Sequence, residues 1–384
     1  MRVTRRVEEL QAQGREILSF GAGEPDFPSP ESAVKAARAA LADGFTRYTP
    51  AAGLADLRRD LLDRFEERWA APWRQLSEVV VTVGAKAALF ELSLTLFEAG
   101  DEVVIPSPCW VTFPEQVRLA GARPVLVPGT GNDFRLAAEP LIAALTPHTR
   151  AIVLNSPCNP TGAILPAADL EALVVECAER GVLVISDETY ERFVYDDDGF
   201  VSAAVLAQRY PQTVVVVGSF SKTYAMTGWR VGFVLGPHQV TSGVATIQSH
   251  ATSNPTSFAM VGARAALASA EEDVRQMIAE FRQRRDLIVE RLNRIPGVSC
   301  PTPAGAFYVF PDVSACFLPG EGSIELAEFL LEQVAVAVVP GIAFGHDGHV
   351  RFSFTSPRDV LDEGLDRVAD ALTRRGTDPR SLHA

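Results

Sequence analysis

The sequence contains no apolar run near the roughly 20 residues that a membrane-spanning helix needs. Its opening residues, MRVTRRVEELQAQG, are charged and helix-like and lack the apolar core of a secretory signal. The chain therefore reads as cytoplasmic, with no membrane partner. Positive charge is in deficit: 35 Lys and Arg against 48 Asp and Glu give a net charge of −13, spread along the chain. That balance argues against nucleic acid as a partner. Cysteine is scarce. The five present, Cys109, Cys158, Cys177, Cys300 and Cys316, form no CxxC, which excludes a disulfide framework or a zinc site as the working expectation and leaves buried free thiols. The six histidines form no HxxxH; His346 and His349, in GHDGH, fit a loop better than a metal site. Repeats and low-complexity linkers are absent.

What is present is enough chain for two domains. The 384 residues exceed what one hydrophobic core usually serves, and 47% hydrophobic with 22% charged residues is ordinary globular composition. Seven strand candidates run from 78 to 236: EVVVTV (78–83), DEVVIP (101–106), RPVLVP (123–128), RAIVLN (150–155), GVLVIS (181–186), TVVVVG (213–218) and VGFVLG (231–236). Most are continuous Val/Ile runs without period-two alternation, the pattern of strands covered on both faces. Helices fit between them, as in AKAALFELSLTLFEAG (85–100) and PAADLEALVVECAERG (166–181), with Gly100 and Gly181 as helix stops. The expected fold is α/β: a three-layer large domain with a mostly parallel seven-stranded sheet. After residue 270 the character changes. A long amphipathic helix (271–297) precedes AFYVFPDV, a helix near 323–333, VAVVPG and HVRFSF, which suggests a smaller α+β domain. The expected division is 40–285 for the large domain, with 1–39 and 286–384 forming the small one.

In open α/β sheets ligands bind beyond the carboxyl ends of the strands, and polar residues gather there. The strand candidates are followed in turn by Gly84-Ala85-Lys86, Ser107-Pro108-Cys109-Trp110, SPCNPTG with Asn159, Asp187-Glu188-Thr189-Tyr190, and Ser219-Phe220-Ser221-Lys222; Arg230 precedes the last strand. Each residue alone has an ordinary reading. Asp187 suits a helix N-cap, Asn159 the NPTG turn, Tyr190 and Trp110 packing, and Lys222 and Arg230 solvated surface. Together they suit a ligand. Gly84 and Ala85 at a helix start offer N–H groups to a phosphate, and Ser219, Ser221 and Arg230 are further phosphate partners. Trp110 offers a flat face, Asp187 a carboxylate, Tyr190 and Asn159 hydrogen bonds, and Lys222 an amine. A flat phosphorylated heterocycle carrying an aldehyde uses all of them, as pyridoxal 5′-phosphate does. GAGEPDF lacks the third glycine of GxGxxG, which argues against a dinucleotide loop.

SFSKTYAMTGWRVG (219–232), NPTG (159–162) and SDETYE (186–191) together resemble the class I/II aminotransferases of fold type I. GAGEPDF (21–27), TRYTPAAGL (46–54), TVGAKAAL (82–89), SPCW (107–110), GAFYVF (305–310), VAVVPG (336–341) and HVRFSF (349–354) match in family order, so the resemblance covers nearly the whole chain. It points to the bacterial branch containing prokaryotic-type aspartate aminotransferases. The resemblance implies that Lys222 bonds the cofactor aldehyde and later carries a proton as general base and acid. It implies that Asp187 pairs with the pyridine nitrogen, that Tyr190 and Asn159 bond the ring's phenolic oxygen, and that Trp110 stacks on the ring. Gly84, Ala85, Lys86, Ser219, Ser221 and Arg230 would surround the phosphate. Tyr48 would reach the phosphate of a second subunit, implying a homodimer with shared sites. Arg351 would clamp the substrate α-carboxylate, with Gly23 contacting it through backbone. The implied activity is ping-pong transfer of an amino group from an L-amino acid, aspartate favoured, to a 2-oxo acid such as 2-oxoglutarate. Aromatic, methionine or glutamine transamination and a C–S lyase on the same scaffold stay open.

Overall fold

The computed structural model describes residues 2–196 and 199–377. A helix (Arg2–Ala12) and a short strand, β1 (Leu18–Ser19), open the chain. Seven strands follow: β2 (Val79–Thr82), β3 (Glu102–Ser107), β4 (Arg123–Pro128), β5 (Thr149–Asn155), β6 (Leu183–Asp187), β7 (Val214–Ser219) and β8 (Gly232–Leu235). Each falls within a residue or two of a strand read from the sequence. They form one sheet in the order β2-β8-β7-β6-β5-β3-β4. All neighbours pair in parallel except β8, which runs antiparallel to both β2 and β7. The reversal has a local cause. Residues 220–231 hold only the short helix Phe220–Thr223 and a helical turn closed by Arg230 in the left-handed conformation, with no long helix of the kind that usually carries a parallel crossover.

Both sheet faces are buried, as the unbroken Val/Ile runs require. Along β7, Val214 and Val216 enter a core shared with Leu57, Leu61, Trp73 and Leu173, while Val215 and Val217 enter one shared with Ala88, Leu92, Phe113 and Val244. The period-two geometry of a strand thus feeds two helix layers at once. The helix Ala167–Arg180 ends at Gly181 with φ of 70°, as read from the sequence. Gly100 is a correction. The helix Gly84–Leu96 stops earlier because Phe97 turns to extended backbone and buries its ring; Gly100 sits in the following turn.

A third core is built by the helix Glu271–Asn293, which ends four residues before the Gly297 expected from sequence, together with helices Ser323–Val334 and Arg358–Thr377. Strands β9 (Tyr308–Val309), β10 (Val336–Ala337), β11 (Val339–Pro340) and β12 (Val350–Ser353) accompany them. The sheet order is β11-β12-β9, antiparallel. β1 pairs with β10 in parallel, Leu18 opposite Val336, so the N-terminal segment packs against the C-terminal part. Of the range expected for a small domain, Met1 and residues 378–384 lie outside the described residues. Among the described residues, no helix is long and apolar enough to cross a membrane.

Candidate active site

The parallel strands β5, β6 and β7 all end at the same edge of the sheet, and a cavity of about 320 Å³ opens there. Its walls include Asn159 beyond β5, Asp187 closing β6, Tyr190 just after it, and Ser219, Ser221 and Lys222 at the end of β7. Ala85 and Lys86 enter from the start of the helix after β2, and Trp110 from the loop after β3. Gly23 and Arg351 come from the other part of the molecule. The β7 end is held by its own side chains: Ser221 N–H donates to Ser219 Oγ at 3.0 Å, a helix N-cap.

Lys222 Nζ donates to the Gly23 carbonyl. Burial, with Arg230, Arg351 and Lys86 nearby and Glu24 opposing, pulls its pKa down from 10.5 to about 8. Asp187 is 4% exposed. Burial raises its pKa from 3.8 to about 6, against a hydrogen bond of 3.1 Å from Thr189 N–H to Oδ1. An amine eased toward neutrality and a carboxyl resisting ionisation thus share one cavity. Tyr190 Oη lies 2.9 Å from Tyr308 Oη, and burial pushes the Tyr190 phenol well above its ordinary pKa. Arg351 Nη1 donates to Asn159 Oδ1 at 2.9 Å and Nη2 to the Gly21 carbonyl at 2.8 Å. The Lys86 ammonium sits 4.9 Å from the centre of the Trp110 ring.

Two predicted residues lie outside the cavity wall. Gly84 stands behind Arg230, with φ of 78°; a β-carbon there would come 2.5 Å from Arg230 Nη2. Tyr48 is 88% exposed and away from the cavity. Four wall residues were not singled out from sequence: Asn155, Thr189, Thr227 and Tyr308. Asn155 had a visible signal, a lone amide ending an apolar strand. It donates to the Asp187 carbonyl at 3.1 Å and accepts from Asn159 N–H at 2.8 Å, tying two predicted residues together. Tyr308 hid inside the apolar run AFYVF. A β-carbon on Gly23 would collide with its hydroxyl. Among the described residues no cluster suited to a metal occurs, and the five cysteines are free.

This fold and cavity define a class: α/β enzymes that hold a phosphorylated ring through a lysine at a sheet edge. The family model for aminotransferase class I and II matches residues 15–368, and the chain belongs to that family. A relative from Aquifex aeolicus (strain VF5) named probable aspartate/prephenate aminotransferase is 43% identical over 373 residues, 96% of this chain and 94% of the relative. The aspartate aminotransferase of Geobacillus stearothermophilus is 42% identical over 369 residues, 95% of this chain and 94% of its own. Among solved structures, the Rhizobium meliloti aspartate aminotransferase superposes with a TM-score of 0.92 at 36% identity, covering 97% of this chain and 95% of that one. The Thermus thermophilus aspartate aminotransferase with maleate gives 0.91 at 39%, covering 96% and 95%.

The chain is accordingly a fold type I transaminase, and its family depends on pyridoxal 5′-phosphate. The residues present fit that group. The approach of Arg230 over Gly84 leaves a helix start whose N–H groups and flanking hydroxyls suit a phosphate. The Lys222 amine, in the same wall, is of a kind that could bond an aldehyde.

Proposed function

We propose that this transaminase takes the amino group of L-aspartate by preference and passes it to a 2-oxo acid such as 2-oxoglutarate, in ping-pong fashion. The observation that carries the proposal is the desolvated Lys222 amine, with a pKa near 8, sharing a cavity with the buried Asp187 and Arg351. The names of relatives support the amino acid, and the maleate complex of the Thermus thermophilus relative shows that protein accepting a dicarboxylate.

When bound, pyridoxal 5′-phosphate supplies an electron-accepting ring for the pair released as the substrate Cα–H bond breaks. The chain's residues do the rest. Asp187, held ionised by pairing, would keep a proton on the ring nitrogen. Tyr190 and Asn159 would bond the phenolic oxygen, and Trp110 would lie against the ring. Ala85 and Gly84 through N–H groups, with Ser219, Ser221 and Arg230, would hold the phosphate. Arg351 binds the α-carboxylate with two parallel N–H donors, exchanging its present bonds to Asn159 and Gly21 for it, while Gly23 meets the same carboxylate through backbone. Lys222, whose pKa is lowered to about 8, would take the Cα proton as the free amine and deliver it as the ammonium.

Lys86 contributes twice in this reading: its backbone N–H to the phosphate, and its ammonium beside Trp110 to the second carboxylate of aspartate. Two copies of the chain form the working unit, with the exposed Tyr48 of each reaching the other's phosphate. Residues 40–285 would act as the cofactor-binding domain, and 1–39 with 286–384 as the part bearing Arg351.

The experiment is an absorption spectrum of the cofactor-loaded protein before and after adding aspartate without an acceptor. Bleaching of the yellow band is expected. A yellow protein that ignores aspartate but bleaches with another amino acid would reject the substrate; one that stays colourless with added cofactor would reject the site.

A further inference from the structure

Behind Arg351 lies a cluster of rings that the reaction does not use. The guanidinium lies 5.0 Å from the centre of the Phe344 ring and 4.3 Å from that of Tyr308. Phe310 packs edge-on to Phe344 at 5.8 Å and stacks on His349 at 4.9 Å. Into this cluster comes one ring from the opposite part of the molecule. Phe134, carried by the turn after β4, meets Phe310 at 5.7 Å, His346 at 4.8 Å and His349 at 4.9 Å. It is 7% exposed.

The turn that delivers Phe134 is built tightly. Thr130 and Arg135 exchange backbone hydrogen bonds of 3.0 and 2.8 Å. Phe134 itself has φ of 52°, a conformation a bulky residue adopts only when its surroundings hold it there. A β-carbon on Gly129 would fall 2.8 Å from the Phe134 carbonyl oxygen. The same turn is tied to the loop bearing Trp110: Gly129 N–H donates to the Ser107 carbonyl at 2.7 Å, and Cys109 N–H donates to the Phe344 carbonyl at 3.3 Å. His349 is buried, with its Nδ1 unpartnered among the described residues, and burial beside His346 brings its pKa down to about 4, so near neutral pH it packs as an uncharged ring. The buried rings Phe134, Phe310, Phe344 and His349 thus form an apolar bridge between the Trp110 loop and the strand carrying Arg351, with the exposed His346 at its rim.

We propose that Phe134 is a positioning residue for substrate carboxylate recognition: acting through Phe310 and Phe344, it sets where the Arg351 guanidinium stands relative to Trp110. The strained turn persists because the ring it aims is needed in the far cluster. This inference rests on the reading of Arg351 as the α-carboxylate ligand.

Steady-state kinetics of the cofactor-loaded enzyme with aspartate and 2-oxoglutarate tests it. Both substrates carry the α-carboxylate, so Phe134→Ala should raise both KM values about tenfold, a modest misplacement effect. kcat should fall less than about threefold, and the cofactor band and cofactor affinity should be unchanged. Phe134→Leu, which keeps most of the volume, should fold even where alanine does not and should show an intermediate rise. Phe134→Tyr should restore values within about twofold. Arg351→Lys serves as the reference. If it raises both KM values and the Phe134 variants do not, the positioning role is wrong and the role of Arg351 stands. If Arg351→Lys leaves KM unchanged, the reading beneath fails and the inference falls with it. Loss of kcat and cofactor affinity with KM unchanged in Phe134→Leu would also overturn it, because that is the signature of general destabilisation.

Discussion

The guanidinium of Arg230 rests against Gly84, so closely that a β-carbon on the glycine would lie 2.5 Å from Nη2 and 3.0 Å from Cζ. Gly84 is also left-handed, at φ of 78°. Gly84→Ala therefore imposes two separate penalties: backbone strain of about 1–2 kcal/mol, and displacement of Arg230 from the helix start. Gly181 separates them. It has φ of 70° and open space around it, so Gly181→Ala should lower the melting temperature comparably and leave cofactor affinity unchanged. Gly84→Ala should weaken pyridoxal 5′-phosphate binding about tenfold or more, equivalent to about 1.4 kcal/mol. Titration of the two apoenzymes, followed by visible absorbance, checks this.

Asp187 makes a pH-dependent prediction whose sign reverses with the cofactor. In the apoenzyme burial raises its pKa to about 6, above the ordinary 3.8. Between those values the folded state binds more protons than the unfolded state, so this group's contribution to stability falls as pH rises. The penalty is absent below about pH 4 and complete above about pH 6. Apo Asp187→Asn should exceed wild type in stability at pH 7, by on the order of 3 kcal/mol, and the two should converge toward pH 4. With cofactor bound, the order should invert at pH 7, and turnover of the variant should fall on the order of 10²-fold or more. Denaturant titrations at pH 4 and 7, with and without cofactor, read all four states.

Lys222 titrates with the opposite chemistry. Its folded pKa of about 8 lies below the ordinary 10.5, so the unfolded state binds more protons between those values and stability from this group rises with pH there. Below pH 8 the cost of a desolvated ammonium is fully present. Apo Lys222→Met should therefore gain on wild type at pH 7, with the difference shrinking from pH 8 to 10.5. The variant should fold, show no covalently attached yellow species and have no measurable transamination. A Lys222→Met protein less stable at pH 7 than at pH 10, relative to wild type, would contradict the burial argument.

The parts of this molecule that were legible in the sequence are those where one residue type does one physical job. Most of the seven strands were readable because buried Val and Ile runs such as Val214–Val217 have no solvent face to interrupt them; the edge strand β4 is half exposed, with Leu126 at 42%. Gly181 was readable because an αL cap favours glycine. Gly100 misled because the helix was ended by the burial of Phe97, a tertiary event with no local signature. The antiparallel sense of β8 was invisible for a similar reason: a run of apolar residues carries no direction. Asp187, Asn159 and Lys222 stood out as polar residues closing apolar strands or loops. Tyr308 and Phe134 did not, since an aromatic within FYVF or FRL looks like core until the fold shows what its hydroxyl or ring meets. The roles of the site residues rested on resemblance, not on spacing.

Lys86 offers the sharpest test of the substrate. Its side chain can serve the phosphate or the far carboxylate of the substrate, and the two assignments move different measurements. The cavity already holds Ser219, Ser221 and Arg230 for a phosphate, whereas Arg351 is the other guanidinium in its wall and is assigned to the α-carboxylate. A second substrate carboxylate then has the Lys86 ammonium, beside the Trp110 ring, as its cation. A charge-assisted hydrogen bond of that kind contributes about 1.5–3 kcal/mol. Lys86→Met should therefore lower kcat/KM for aspartate about tenfold to a hundredfold, while leaving the slow reaction with alanine within about twofold, since alanine has no second carboxylate. Cofactor affinity should hold, because the Lys86 backbone N–H is retained. If instead the variant loses pyridoxal 5′-phosphate and is impaired equally toward aspartate and alanine, the ammonium belongs to the phosphate, and dicarboxylate preference must come from another residue.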